Sequence, residues 1–265
     1  MKANHQVTAI IPTLSNFNGL KKVIKYLLLH NIGVVVIDNQ PSLEKRNLCE
    51  NDLIKYLPQQ KNLGFAIAVN KGFEYVNTSW TLILNDDIEF ADDSSIVNLV
   101  KYAKNHDLTA VSPVLKRANG EIENYGYQVL RQGRVNLNFN KDNQNLDGIT
   151  AACLLIKTTV FKKIGGFDES FFAYLEDVDL FIRMKKKKFK FGIDYQTWVI
   201  HNHQTTSKKM GNFKQKMDLI NWWRLFIKHY RDRVFTFSPQ FLLERLRNLS
   251  GFIKATLKYV VKNKK

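Results

Sequence analysis

The sequence predicts an α/β chain built on a mostly parallel, twisted sheet with helices on both faces. Three observations carry this. Short apolar segments recur at residues 7–12, 34–37 and 80–84, as expected of strands covered on both faces. Between the first two, Leu20, Val23, Ile24, Leu27 and Leu28 fall at helical spacing, which makes a strand–helix–strand unit. Polar residues, carboxylates above all, follow the strands directly, where sheets of this kind bind ligands.

In order, residues 7–12 form a strand ending at a proline, followed by a polar turn through Asn18-Gly19 and a helix over 20–30. The strand at 34–37 ends in Asp38-Asn39, where Asp38 is either a turn-former or cap, or a site residue. Residues 62–73 alternate small and apolar side chains at a helix start, which permits close approach to a ligand or to the sheet. They lack the spacing of a P-loop or a dinucleotide fingerprint. The strand at 80–84 runs into Asn85-Asp86-Asp87, hard oxygen donors suited to Mg²⁺ or Mn²⁺ if they are not simply an exposed turn.

A covering helix at 94–106 and a strand at 110–114 come next. The polar segment 117–145, rich in Asn and Gly, carries short strands or loops. A strand at 149–157, a helix at 158–164, a helix over 178–187 and a short strand at 198–200 complete the body. That last strand ends in His201-Asn202-His203.

The densest chemistry lies at residues 171–180, where Glu176, Asp177 and Asp179 follow an aromatic run. Carboxylates beside apolar rings are costly unless a metal, a partner or a task justifies them. The plain alternative is a helix start, where acidic residues complement the dipole.

The 265 residues suffice for one large domain, or one domain with an appendage. The formal charge of +16 is uneven: residues 185–265 hold 20 of the 40 basic side chains but only 4 of the 24 acidic ones. A neutral body with a basic last third points to an anionic partner, nucleic acid or a phospholipid leaflet. The two cysteines, Cys49 and Cys153, make neither a metal spacing nor a disulfide framework. With no secretory apolar region near Met1 and no long apolar run, the expected setting is cytoplasmic.

Taken in order, the motifs resemble glycosyltransferase family 2, most closely its rhamnosyltransferase-like branch of bacterial surface-polysaccharide synthesis. The matching residues are Ile11-Pro12 with Asn16, Ile37-Asp38-Asn39, Asn62 to Ala66 with Asn70 and Gly72, and Leu84 to Asp87. They continue through Gly165 to Glu169, Phe171-Phe172 with Tyr174, Glu176 to Leu180 with Arg183, and His201. The resemblance implies a GT-A (nucleotide-diphospho-sugar transferase) fold over residues 1–207, with 208–265 a helical, basic extension.

It also implies roles. Asp38, with Asn39 beside it, would read the donor's nucleobase, and Pro12 and Thr13 would lie against the same ring. Asn62, Gly64, Phe65 and Asn70 would shape the nucleotide pocket. Asn85, Asp86 and Asp87 would form the Asp-x-Asp-type element, with Asp87 the main ligand of Mn²⁺ or Mg²⁺. His201 would complete the metal site, with His203 a nearby alternative. Asp177 would be the general base, and Glu176 would contact the acceptor or orient that base. Two departures stand out: Asn85-Asp86-Asp87 replaces the branch's frequent Asn-Pro-Asp, and the glycines often found after His201 are missing.

The implied reaction is inverting transfer of a sugar from a nucleotide donor, dTDP-rhamnose or a UDP-sugar, to a hydroxyl of an oligosaccharide or lipid-linked acceptor. Competing readings are a basic nucleic-acid-binding protein, an inactive nucleotide-sugar-binding subunit and a nucleotidyltransferase. The first needs aromatics interleaved with basic residues, whereas here they follow an apolar stripe. The second does not need Glu176, Asp177 and Asp87. The third needs a phosphate-cradling glycine loop that residues 13–19 do not supply.

Residues 213–230 read as a helix packed on the body. Residues 239–263 read as a basic amphipathic helix, which either lies on an anionic membrane or packs on the body or a second subunit. The membrane reading makes the protein peripheral at the inner face of the cell membrane.

Overall fold

A computed structural model describes residues 6–130, 133–143, 145–202, 212–231 and 239–262. The first half contains β1 (Val7–Thr13), α1 (Phe17–Leu29), β2 (Gly33–Asp38), α2 (Leu43–Leu48), β3 (Ile54–Pro58), α3 (Gly64–Phe73) and β4 (Trp80–Leu84). Then come β5 (Ile88–Phe90), α4 (Ser95–Asn105), β6 (Ala110–Lys116), β7 (Ile122–Asn124), β8 (Tyr127–Val129) and β9 (Val135–Leu137). The rest comprises β10 (Cys153–Lys157), α5 (Thr158–Ile164), α6 (Glu176–Lys186), β11 (Phe191–His201), α7 (Phe213–Tyr230) and α8 (Pro239–Lys262).

The main sheet has the order β3-β2-β1-β4-β10-β6-β11-β5, with β7 paired to β6. Strands β3, β2, β1 and β4 are parallel. Strand β10 runs against both β4 and β6, so β6 and β11 again point with β1. The carboxyl ends of β1, β2, β4 and β11 therefore share one edge. Strands β8 and β9 form a separate hairpin.

Alternation along β1 sends Ala9 and Ile11 to one face and Ile10 to the other, as the two-residue period of a strand requires. The first face is covered by α1 and α4, through Leu20, Val23, Ile24, Leu27, Ile96 and Leu99. The second is covered by α3, α5 and α6, through Ala66, Val69, Phe161, Leu180 and Phe181. Leu225 of α7 joins this second core.

Several boundaries differ from the sequence expectation. Asn18 and Gly19 are not a turn but the first turn of α1, which Asn16 caps by accepting from the Gly19 N–H at 3.0 Å. Strand β10 starts at Cys153, and Thr150, Ala151 and Ala152 before it line the cavity described below. Strand β11 is far longer than 198–200; its polar middle is an irregularity between Asp194 and Trp198, where Thr197 Oγ1 donates to Asp194 Oδ2 at 2.6 Å. The sequence pattern does not predict α2 or β3, because β3 is a half-exposed outer strand and α2 spans six residues.

Candidate active site

A cavity of about 550 Å³ opens at the carboxyl edge of the sheet. Strand order puts residues from β1 and β2 on one flank of Asn85 and those around β10 and β11 on the other. Pro12, Thr13, Asn39, Asn62, Gly64, Phe65, Asn85, Asp86, Asp87, Glu176, Asp177 and His201 all line it. Twelve residues far apart in sequence thus meet at one site.

On the β1–β2 flank the loops are tied together by polar side chains. Thr13 Oγ1 donates to Asp86 Oδ2 at 2.6 Å, and Asn16 Nδ2 donates to the Asp86 carbonyl at 3.0 Å. Burial, opposed by the hydrogen bond from Thr13 and helped by the Asp87 charge, raises the Asp86 carboxyl to about 6. Asp86 is thus spent on holding β4 to β1. Asn39 Oδ1 accepts from the Leu63 N–H at 3.0 Å, and Asn62 Oδ1 from the Gly64 N–H at 2.9 Å.

Gly64 has φ +78°, and a Cβ there would come within 2.2 Å of the Phe172 carbonyl oxygen. Only glycine combines that backbone with that approach. Next to it, the Phe65 N–H donates to the Phe172 carbonyl at 2.7 Å, which locks this flank to the aromatic run before Glu176.

Two expected donor residues are not among those lining the cavity. Asp38 is fully buried; its Oδ1 accepts from Lys45 Nζ at 2.6 Å and its Oδ2 from the Tyr56 hydroxyl at 2.8 Å. Lys45 Nζ also donates to the carbonyls of Leu14, at 2.5 Å, and Gln40, at 2.6 Å. Asp38 thus shapes the pocket by fixing the loops after β1 and β2. Asn70 pairs both ways with the Phe167 backbone, at 2.9 and 3.0 Å, and pins α3 to the segment leading to Phe171.

Strand β5 explains how Asp87 meets His201. It runs antiparallel to β11 with Ile88 opposite His201, so the preceding residue reaches the end of β11. His201 Nε2 lies 3.3 Å from Asp87 Oδ1 and 3.4 Å from Asn85 Nδ2, while its Nδ1 lies 2.9 Å from Glu123 Oε2. Burial pushes the imidazole down, but Asp87 and Glu123 outweigh it and raise it to about 9.

This donor set fits a divalent ion: a carboxylate and an imidazole nitrogen converge, and Glu123 orients the ring from behind. Among the described residues, no group of three or more His, Cys, Asp or Glu side chains converges as a metal cluster. His203 lies outside the described residues.

Glu176 and Asp177 open α6, and Tyr174 and Leu175 before them both take positive φ, 68° and 66°. Non-glycine residues in that region are strained, and such strain gathers at working sites. Helix α7 holds the strained pair: fully buried Asn221 donates through Nδ2 to the Ala173 carbonyl at 2.7 Å and to the Tyr174 carbonyl at 2.8 Å. Arg224 Nη1 donates to Asn221 Oδ1 at 2.8 Å, which fixes the amide's orientation.

Replacing Asn221 with Asp keeps the shape and removes both donors. Turnover per folded molecule is expected to fall about 10–100-fold, since small misplacements of reacting groups are costly. Nucleotide-induced thermal stabilisation should not change. Wild-type turnover in the folded variant would show that this clamp does not position the pair.

Burial raises both acids, and the adjoining Asp177 charge raises Glu176 further. Asp177 is held lower by backbone donors: the Val178 N–H reaches its Oδ1 at 2.8 Å and the Ala151 N–H its Oδ2 at 3.4 Å. Of the two, Glu176 keeps its proton and Asp177 ionises first.

Asp179 does something else. Burial pushes it up, but His229, Arg183 and Lys228 hold it down to about 2. His229 Nε2 and Lys228 Nζ each lie 2.7 Å from its Oδ1, and Arg183 Nε donates to its Oδ2 at 2.8 Å. This buried ion cluster fastens α7 to α6.

The sequence profile of glycosyl transferase family 2 matches residues 8–165. The chain belongs to that family. Glu176 and Asp177 lie beyond the matched stretch, so their placement in the same cavity as Asp87 comes from the geometry above.

The chain is 27% identical over 199 residues to the low-salt glycan biosynthesis hexosyltransferase Agl10 of Haloferax volcanii, covering 71% of this chain and 64% of that protein. It is 24% identical over 169 residues to the N-acetylglucosaminyl-diphospho-decaprenol L-rhamnosyltransferase of Mycobacterium tuberculosis, covering 50% of this chain and 53% of that one. The chain thus spans less than two thirds of the length of either relative. Among solved structures, it is similar to the mannosyltransferase PcManGT from Pyrobaculum calidifontis in complex with GDP-Man and Mn²⁺. The TM-score is 0.63 at 13% identity, covering 95% of this chain and 70% of the other. The GT-A fold expected from the sequence is the fold observed.

Glu123, Tyr127 and Asn221 were not identified as site residues from sequence. Glu123 and Tyr127 sit in a polar segment without periodicity, and Asn221 lies within an apolar helical stripe that reads as packing.

Proposed function

We propose that the protein is an inverting glycosyltransferase. It moves a sugar from a nucleoside-diphosphate donor, dTDP-rhamnose or a UDP-sugar, to a hydroxyl of an oligosaccharide or lipid-linked acceptor in bacterial surface-polysaccharide synthesis. One observation carries this reading: Asn85 to Asp87 with His201, and Glu176 with Asp177, line one cavity at the carboxyl edge of the sheet.

The donor's nucleoside lies against Pro12, Thr13, Asn39 and the Asn62 to Phe65 turn, with Asp38 supporting from beneath. Asp87 and His201 would hold Mn²⁺ or Mg²⁺, whose chemistry there would be to offset the charge that develops on the departing diphosphate. Asp177 takes the proton of the acceptor hydroxyl while the oxygen attacks the anomeric carbon and the bond to the diphosphate breaks. A single base and a single displacement invert the anomeric configuration. Incubation with UDP-, dTDP- and GDP-sugars and Mn²⁺, followed by release of the nucleoside diphosphate, tests the reading; no release from any donor with any saccharide acceptor would refute it.

The setting we propose is peripheral, at the inner face of the cell membrane. No helix among the described residues is long and apolar enough to cross a membrane. Helix α8 exposes Leu242, Leu246, Leu249 and Ile253, and α7 exposes Ile227. The Arg245 guanidinium stacks on the Trp222 ring at 3.4 Å and ties α8 to α7. An exposed apolar stripe on the basic third of the chain suits an anionic leaflet. Deleting residues 239–265 should abolish co-sedimentation with anionic liposomes; unchanged sedimentation would rule out this helix as the anchor.

A further inference from the structure

The cavity wall is acidic. Asp86, Asp87, Glu123, Glu176, Asp177 and Asp218 line it, and among the described lining residues Lys214 is the one lysine or arginine. His201, the other basic group, faces Asp87 at 3.3 Å and Glu123 at 2.9 Å. A cleft lined by one sign of charge repels a substrate of that sign unless a cation stands where the substrate's charge lies.

Lys214 stands in the first turn of α7, which holds no acidic residue. The positive end of the helix dipole favours anions there, so a lysine is unfavourable by itself and an anion beside it would offset the cost. Within the protein its charge is loosely matched: Asp218 Oδ2 lies at 3.7 Å, beyond hydrogen-bond reach, and the lysine side chain is 55% exposed.

This turn is held against the cavity. Asn221, further along α7, grips the Ala173 and Tyr174 carbonyls. Lys214 Nζ lies over the Tyr174 ring at 5.3 Å, and Phe213 meets Phe172 edge to face at 5.9 Å. Phe172 is the residue whose carbonyl takes the Phe65 N–H and crowds Gly64. Lys214 thus sits on the wall that joins the Gly64-Phe65 turn to the Glu176-Asp177 pair.

We propose that Lys214 is the protein's own cationic contact to the diphosphate of the nucleotide donor. Its ammonium donates to a phosphate oxygen of the bound donor and stays with the nucleoside diphosphate as it departs. This inference rests on the glycosyltransferase reading and adds to it a residue of α7, a helix that the family profile does not reach.

The test measures the affinity of the full chain for UDP, dTDP and GDP and for the matching nucleosides, once with Mn²⁺ and once with EDTA. Wild type should prefer one diphosphate over its nucleoside in both conditions. Lys214→Met keeps an apolar stem beside the Tyr174 ring and removes the charge. It should weaken that diphosphate about 10-fold or more, the scale of one hydrogen bond to a charged group. Nucleoside affinity and the melting temperature of the free protein should not change, and Lys214→Arg should restore most of the preference.

An unchanged preference for the diphosphate in folded Lys214→Met overturns the proposal. So does a wild type that shows no such preference in EDTA, since the ion would then be the whole cationic contact; that comparison needs no variant. If wild type prefers no diphosphate even with Mn²⁺ and releases none from any donor, the glycosyltransferase reading falls with it. If donor turnover is present and the preference does not depend on Lys214, this inference alone is refuted.

Discussion

Asp177→Asn is expected to reduce transfer about 10²–10⁴-fold, the usual contribution of a positioned general base. The amide keeps the side chain's shape and cannot take a proton. The fold should not suffer. A carboxyl whose folded pKa lies above its unfolded value is most stabilising below the unfolded pKa, and that benefit is lost as pH rises through the folded pKa. Asp177 is such a group, raised to about 6 by burial. At neutral pH the ionised carboxylate therefore costs stability, and removing it should leave the melting temperature unchanged or higher. Nucleotide binding should persist. Turnover at the wild-type rate by a folded variant would remove Asp177 from the base role.

Asp87→Ala is the second large effect. It removes the carboxylate that faces His201 Nε2 at 3.3 Å and should abolish the Mn²⁺-dependent part of thermal stabilisation by nucleoside diphosphates. Transfer should fall about 10³-fold, the scale of losing several kcal/mol of charge stabilisation. The fold should survive, because His201 keeps Glu123 at 2.9 Å. Equal Mn²⁺-dependent stabilisation in wild type and variant would take the ion away from Asp87.

These two residues were legible in the sequence for a physical reason. A strand covered on both faces is an apolar run, so a carboxylate directly after Trp80–Leu84 stands out, as do two acids after Phe171-Phe172. The same contrast identified the sheet and its helical cover. Contrast along the chain does not report contacts between segments. The resemblance gives Asp38 the donor's nucleobase, and the structure adds a buried lysine, seven residues on, that pairs with it at 2.6 Å. Asn70, which the resemblance places in the segment shaping the nucleotide pocket, pairs its amide with the Phe167 backbone.

Helix α7 shows the other limit. Its apolar stripe predicts packing and nothing more, while Asn221, hidden in that stripe, grips the Ala173 and Tyr174 carbonyls. Glu123 and Tyr127 reach the cavity from β7, which pairs with β6, and from β8, which bridges to Gly148, and nothing in an aperiodic polar segment announces that.

The anomeric configuration of the first product tests the central claim most directly. That claim is that one base, Asp177, drives a single displacement at a donor held by the Asn85 to Asp87 edge. Early-time proton NMR of the transfer product, or of the sugar freed by slow donor hydrolysis, should show the configuration opposite to the donor's. Retention of the donor's configuration would contradict the account.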